Sequence, residues 1–386
     1  MIGRFLVVVL ALATITLGAR WLAFRRAENA VYGAHVLDRN GMVLAGFERG
    51  ERMGKKVAVE KCPNTVTYRG GALAQSVLGY YCPDIPFNNS SGLIGAHEKE
   101  LYSGKDIRTT IDLRWQRLAD SLLWFGVKDI KGFEQACLVV MNVRDGGLPV
   151  VVNLSHKSDV GYGLGNRAME LGYEPGPVME PLTWMVALKD GMFRSKETMA
   201  EALTSGKMTK TYKVTPEHFV NSLIECLPPE EYIRKDIHEA SNVKIHSPKS
   251  KDWSESDVER LAKGWTMKVT ATHIAAFYST LVTGVRTLPY LVKKNYDEEP
   301  RLLGDERNLI IERLNEYGAA GLVGKNSMSR WCGYAAETFA GIFPKKNPRF
   351  AIVCAVFTTR LPDDYQMTEV TENVATEFSG CVNING

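Results

Sequence analysis

The first feature of the chain is a long apolar stretch near its N-terminus. Almost every residue from Phe5 to Ala19 is apolar, and after Arg20 the stretch continues to Phe24. With the arginine side chain reaching the interface, this length suffices to span a bilayer as an uncleaved signal anchor. A cleaved signal peptide ending near Gly18 is the alternative, because small residues there suit a cleavage site. The length favours the anchor.

Alternating and amphipathic patterns predict strands and helices through the rest of the chain. The predicted strands cover residues 32–46, with a turn at 38–41, and 136–143, 148–154 and 350–358. One predicted helix begins after Asp112, which is its N-cap. Three others cover residues 181–193, 216–235 and 270–283. Residues up to about 107 are rich in Gly, Pro, Asn and Ser, which indicates a small irregular module. Strands, then helices, then strands again predict an α/β or α+β sandwich.

Composition narrows the class of protein. The chain has 386 residues, 45% of them hydrophobic and 24% charged, as expected of a folded globular protein. Its net charge is +3 with both signs spread along the sequence, so we expect no nucleic-acid partner. The seven cysteines include no C-x-x-C pair and there is no H-E-x-x-H motif, so we expect no metal and no cofactor.

Short motifs along the chain occur in the order found in class B penicillin-binding proteins. They are Val36–Gly41 with Leu44-Ala45, Tyr68, Leu78–Tyr80, Ser91–Gly95, Leu101–Gly104, Thr109–Asp112 with Gln116, Asn166–Ala168, Tyr173–Gly176, Gly341–Pro344 and Asn347–Ala351. The chain resembles a short-pedestal member of this family. The resemblance implies an α/β, β-lactamase-like transpeptidase domain at 108–386, with an antiparallel sheet flanked by helices. It also implies a small pedestal at 27–107 and one transmembrane helix within residues 1–26.

The same resemblance implies a location. Arg20, Arg25 and Arg26 follow the apolar stretch and only Arg4 precedes it, so the positive-inside rule alone would place the body in the cytoplasm. Family members instead keep the N-terminus inside and the main domain outside the inner membrane, in the periplasm, as single-pass proteins. Because that compartment is oxidising, we expect a disulfide between Cys62 and Cys82, which both lie in loop-like sequence.

The family's first catalytic element is altered at both chemical positions. Family members have a Pro-Gly-Ser-x-x-Lys-Pro turn, whose serine attacks a carbonyl and whose lysine takes part in proton transfer. Here Pro177 stands at the serine position and Glu180 at the lysine position. Proline has neither a hydroxyl nor an N–H, so it can neither attack nor donate to an oxyanion. Glu180 reverses the charge.

The other two elements are altered as well. At the family's Ser-x-Asn element we place Thr215 and Glu217, which keep a hydroxyl and lose the amide. At its Lys-Thr-Gly strand stand Lys325, Asn326 and Ser327, so only the lysine is kept. The family counterparts of Glu180 and Lys325 converge on one nucleophile, and we therefore expect these two side chains to meet.

These departures predict a pseudoenzyme of the D,D-transpeptidase family. We expect a scaffold or regulator of peptidoglycan synthesis or cell division, acting through a membrane glycosyltransferase and other divisome or elongasome proteins. One alternative is a transpeptidase or peptidase with a displaced nucleophile such as Ser155 or Ser327. Another is a receptor that binds wall peptides without cleaving them.

Overall fold

The computed structural model describes most of the sequence after residue 33. The described residues are 34–47, 66–68, 71–79, 91–155, 165–191, 215–229, 236–237, 240–293, 299–318, 321–331, 334–359 and 370–384. The predicted anchor and the predicted Cys62–Cys82 disulfide lie outside them and stay predictions. Within these ranges, no helix is long and apolar enough to cross a membrane.

Strands and helices alternate along the chain. The strands are β1 (His35–Leu37), β2 (Val43–Phe47), β3 (Val66–Tyr68), β4 (Ile107–Arg108), β5 (Phe133–Asn142), β6 (Val150–Ser155), β7 (Lys244–Ile245), β8 (Met267–Lys268), β9 (Val323–Trp331), β10 (Tyr334–Phe343) and β11 (Phe350–Thr358). The helices are α1 (Gln75–Leu78), α2 (Gly92–Ala96), α3 (Glu98–Tyr102), α4 (Leu113–Val127), α5 (Arg167–Glu170), α6 (Glu180–Lys189), α7 (Pro216–Glu225), α8 (Glu255–Ala262), α9 (Ala271–Thr283), α10 (Arg307–Leu314) and α11 (Val370–Ile384). Short 3-10 helices cover Gly71–Ala74 and Gly176–Met179.

The centre of the fold is a five-stranded antiparallel sheet in the order β6-β5-β11-β10-β9. Every residue of β11 is buried, because helices cover both faces of the sheet. Val353 and Ala355 belong to the core on the side of α9, and Ile352 and Val356 belong to the core on the side of α4 and α11. The continuous apolar run in the sequence therefore reflects a strand buried on both sides.

A smaller sheet, in the order β3-β2-β1-β4, lies against the large one. The turn between β1 and β2 is held by Asp38, whose carboxylate accepts the backbone N–H groups of Asn40 at 2.7 Å and Met42 at 2.8 Å. The same carboxylate accepts the N–H of Leu113 at 3.2 Å, in the first turn of α4. Residues of both sheets share one continuous core cluster, so the small sheet packs directly on the large domain.

Helix starts follow the predicted caps. Asp112 accepts the backbone N–H groups of the first turn of α4, and Thr270 accepts that of His273 in α9. Burial lowers the pKa of His273 to about 4, so its imidazole is neutral and closes the capping box.

One predicted helix is too long. The sequence predicts a helix over residues 216–235, whereas α7 ends at Glu225. Pro228 and Pro229 follow, and proline both lacks the N–H that a helix needs and disfavours helical geometry in the residue before it. The amphipathic pattern therefore continues in the sequence beyond the residue at which the helix ends.

Candidate functional site

The turn that opens α6 is built on two closely packed glycines. Gly176 has φ +67° and donates its N–H to the carbonyl of Gly264 at 3.1 Å. A Cβ on Gly264 would lie 2.1 Å from the carbonyl oxygen of Gly176, so only glycine fits there. The 3-10 helix that follows contains Pro177, and Glu180 is the first residue of α6. Proline in such a first turn costs no hydrogen bond, and an acidic residue suits the helix N-terminus.

Strand β9, at the edge of the large sheet, packs against this turn. The Ser327 hydroxyl donates to the carbonyl oxygen of Pro175 at 2.5 Å. Two residues earlier on the same face, the Lys325 ammonium forms an ion pair with the Glu180 carboxylate. The two side chains are 13% and 31% exposed. The predicted contact between Glu180 and Lys325 is therefore present, and it joins the strand to the turn.

Aromatic rings complete the surroundings of the Lys325 ammonium. Its nitrogen lies 5.6 Å from the ring centroid of Trp184 and 4.9 Å from that of Tyr317. Both distances are within the range of cation–π attraction. Beneath the turn, burial and the Glu180 charge raise the pKa of Tyr278, whose hydroxyl donates to the carbonyl of Val178 at 2.9 Å. The Lys325 ammonium is thus surrounded by the Glu180 carboxylate and by the rings of Trp184 and Tyr317.

The side chains at the turn and on β9 have the following chemistry. Pro177 supplies neither nucleophile nor donor. Ser327 is 7% exposed, and its proton is directed to a peptide carbonyl, which is not a general base. The Lys325 ammonium is paired with the Glu180 carboxylate. In the part of the chain that the structure describes, no cluster of His, Cys, Asp or Glu could hold a metal ion.

Asn326, which the sequence predicts to line the cleft, makes its side-chain contacts with α11. Its amide donates to the Glu372 carboxylate, and its side-chain oxygen accepts from the Thr371 hydroxyl at 3.3 Å; both partners belong to α11. Successive residues of a strand point to opposite faces, so a side chain between Lys325 and Ser327 must point away from the turn. Strand alternation in the sequence could have shown this.

Thr215 and Glu217, which the sequence predicts to line the cleft, lie at the start of α7. Both side chains are exposed, and Thr215 caps α7. His218, in the first turn of α7, contacts Asp190 at 2.9 Å, just past the end of α6. Asp190 is ten residues after Glu180, about 15 Å along the helix axis. The prediction takes its position from the helix that follows the motif, matched through Leu227–Glu230.

Sequence reasoning missed a buried carboxyl group on the central sheet. Glu337 of β10 is fully buried; its Oε1 accepts both the hydroxyl of Thr371 at 2.7 Å and its N–H at 3.1 Å. Oε2 is buried without a hydrogen-bond partner in the described part of the chain. The pKa of Glu337 is raised to about 7, and burial is the main cause. The charge of Glu372 adds to the increase, whereas the hydrogen bonds from Thr371 act against it. The sequence does contain a signal for this buried carboxyl group, because Glu337 is an acidic residue within the mainly apolar run of β10.

Comparison with solved structures identifies the fold. The apo structure of penicillin binding protein 3 from Mycobacterium tuberculosis matches with a TM-score of 0.71 and 16% identity, over 92% of this chain and 97% of that one. Its ampicillin complex matches at 0.70 and 17%, over 92% and 96%. The D,D-transpeptidase domain of a peptidoglycan glycosyltransferase from Eggerthella lenta matches at 0.70 and 16%, over 92% and 99%.

A further similar structure is PBPA from Mycobacterium tuberculosis, at a TM-score of 0.69 and 14% identity over 91% of this chain and 100% of that one. No family model and no curated protein sequence matches the chain. At these identities the likeness is one of fold. The chain has the fold of penicillin-binding protein transpeptidase domains, with an antiparallel sheet flanked by helices. The family resemblance seen in the sequence is confirmed at that level.

Proposed function

We propose that this protein is a non-catalytic form of the transpeptidase fold, which serves peptidoglycan synthesis by binding a partner. The observation that carries the proposal is the Glu180–Lys325 ion pair beside Pro177. The nucleophile position holds a residue without a nucleophilic group, and the neighbouring cation is neutralised from within the chain. Loss of the reaction together with retention of the fold favours a role in binding.

The similar structures support a role in peptidoglycan synthesis. They are penicillin-binding proteins and the D,D-transpeptidase domain of a peptidoglycan glycosyltransferase, and this chain covers 97–100% of three of them. With residues 1–26 as an anchor, the small sheet would be near the membrane and the large domain outside the inner membrane, in the periplasm. A membrane glycosyltransferase of the divisome or elongasome is the partner that such a placement suits.

The two alternatives receive less support. A displaced nucleophile at Ser327 lacks an adjacent base, since its hydroxyl bonds to a peptide carbonyl. A wall-peptide receptor that used the old cleft would have to break the Glu180–Lys325 pair and the Ser327–Pro175 bond before a ligand could enter. Both alternatives therefore work against contacts that hold the cleft closed.

Partner capture from native membranes tests the proposal. Exchanging residues 5–24 for an unrelated membrane helix should abolish both partner recovery and cellular function. The matched cleft variant is Lys325→Met, which keeps the aliphatic stem and removes the charge; it should retain both. Protein levels must be equal, because lost stability can imitate lost function. Loss of function in Lys325→Met together with full function of the exchanged anchor would overturn the proposal.

A further inference from the structure

The first turn of α11 is fastened to the central sheet by side chains of β9 and β10. Glu337 of β10 accepts the backbone N–H of Thr371 at 3.1 Å and its hydroxyl at 2.7 Å. Asn326 of β9 lies 3.3 Å from the same hydroxyl, and its amide donates to the Glu372 carboxylate. We call these four side chains the helix clamp.

The two oxygens of the Glu337 carboxyl have unequal surroundings. Both bonds from Thr371 go to Oε1, whereas Oε2 is buried without a hydrogen-bond partner in the described part of the chain. The residue as a whole is fully buried. A neutral carboxylic acid tolerates an unpaired oxygen in such a place better than a carboxylate does, because burying a charge without a partner is far more costly. The helix clamp therefore suits the protonated form of Glu337.

The groups that face Glu337 do not offset a negative charge. The Glu372 carboxylate on α11 is a like charge, and the Cys354 thiol on β11 stays neutral because burial raises its pKa. Strand β9 contributes the uncharged Asn326, and α9 packs on the opposite face of β10. Burial and the Glu372 charge outweigh the hydrogen bonds from Thr371, so the pKa of Glu337 is raised to about 7.

Opening of the first turn of α11 would expose the ionised carboxyl to water. The proton then passes to solvent, and water solvates the oxygen that has no partner inside the fold. We propose that the helix clamp is a pH-sensitive switch, which is closed while Glu337 is protonated and opens when this carboxyl ionises. Asn326 is bound to the same turn, so opening also frees the face of β9 opposite to the Lys325 side chain. This inference does not depend on the proposed function.

The closed and open states of the helix clamp differ in their affinity for the proton. In the open state the Glu337 carboxyl is in water and titrates near its ordinary pKa of 4.5, whereas in the closed state its pKa is about 7. The closed state is therefore fully favoured below the lower value and loses stability as the pH rises to the higher one. The equilibrium constant for opening should rise by roughly fifty- to a hundredfold between pH 5 and pH 8.

Hydrogen–deuterium exchange of the full chain in detergent, followed by mass spectrometry, tests the proposal. After correction for the intrinsic pH dependence of exchange, the first turn of α11 should lose protection by about this factor between pH 5 and pH 8, and the later turns should lose less. Glu337→Gln cannot ionise and should keep the first turn protected at both pH values. The matched control Glu377→Gln changes an exposed glutamate later in α11 and should behave like the original protein.

A second variant, Glu372→Gln, keeps the test decisive if Glu337→Gln does not fold. It removes the like charge and so lowers the pKa of Glu337, which should make the loss of protection between pH 5 and pH 8 smaller than in the original protein. An unchanged loss in Glu372→Gln, or the same loss in a folded Glu337→Gln, would overturn the proposal. So would a first turn whose protection does not depend on pH, or equal losses along the whole of α11, which would indicate global unfolding.

Discussion

The Glu180 carboxylate pairs with the Lys325 ammonium between the first residue of α6 and the edge strand β9. In the family that the sequence resembles, the first position is a lysine that takes part in catalysis and the second binds substrate. Here one substitution turns two like charges into an ion pair. This contact joins the turn to the strand.

We predict that Glu180→Gln lowers the free energy of unfolding. Lys325 is mostly covered and would lose its carboxylate, at a cost of about 1–2 kcal/mol, reduced by the partial exposure of the pair. Denaturant unfolding of the full chain measures this. Glu217→Gln, which changes an exposed glutamate in α7, should stay within about 0.5 kcal/mol. Equal effects of the two variants would show that the ion pair does not stabilise the fold.

Two serines on the same face of β9 provide an internal comparison. Ser327 donates to the Pro175 carbonyl, whereas the buried hydroxyl of Ser329 has no partner in the described part of the chain. Ser327→Ala should therefore cost about 1 kcal/mol, while Ser329→Ala should be neutral or stabilising. Chemical denaturation distinguishes the two. The reverse order would contradict the hydrogen bond as the link between strand and turn.

The buried carboxyl of Glu337 predicts a pH dependence of stability. Its pKa is raised from an ordinary 4.5 to about 7, so the folded state holds the proton more tightly than the unfolded state. Its stabilising contribution is complete below the unfolded-state pKa and is lost as the pH rises through about 7. Glu337→Gln should match the original protein near pH 4.5 and exceed it at pH 8, by an amount on the order of a few kcal/mol.

Thermal unfolding across this pH range measures the effect. Glu377→Gln, an exposed change on α11, the helix whose first turn Glu337 contacts, is the control and should leave the pH profile unchanged. A Glu337→Gln profile parallel to that of the original protein would mean that this carboxyl does not titrate between the two pH values.

The parts of the fold that sequence could predict were those encoded locally. The apolar run of β11 and the N-cap Asp112 gave the correct elements because burial on both faces and a side-chain cap leave short-range patterns. Pro177 and Glu180 could be placed because their turn sits in a recognisable sequence. Their partner Lys325 followed from the resemblance, since the ion pair joins residues 145 positions apart.

What the sequence did not reveal depends on distant contacts. The first turn of α11 is bound by Glu337, whose position in the sequence is 34 residues earlier. Thr215 was assigned by a short motif that many sequences contain, and only packing shows that α7 begins at the other end of α6. Asn326 differs, because strand alternation alone would have placed it on the opposite face.

Mass spectrometry of the intact chain after incubation with ampicillin tests the central claim most directly. Penicillin binding protein 3 from Mycobacterium tuberculosis, whose ampicillin complex has been solved, serves as the positive control. Because Pro177 offers no nucleophile and Ser327 is bonded to the Pro175 carbonyl, we predict that this protein keeps its unmodified mass under conditions that fully label the control. A stoichiometric adduct on any residue of the cleft would contradict the account.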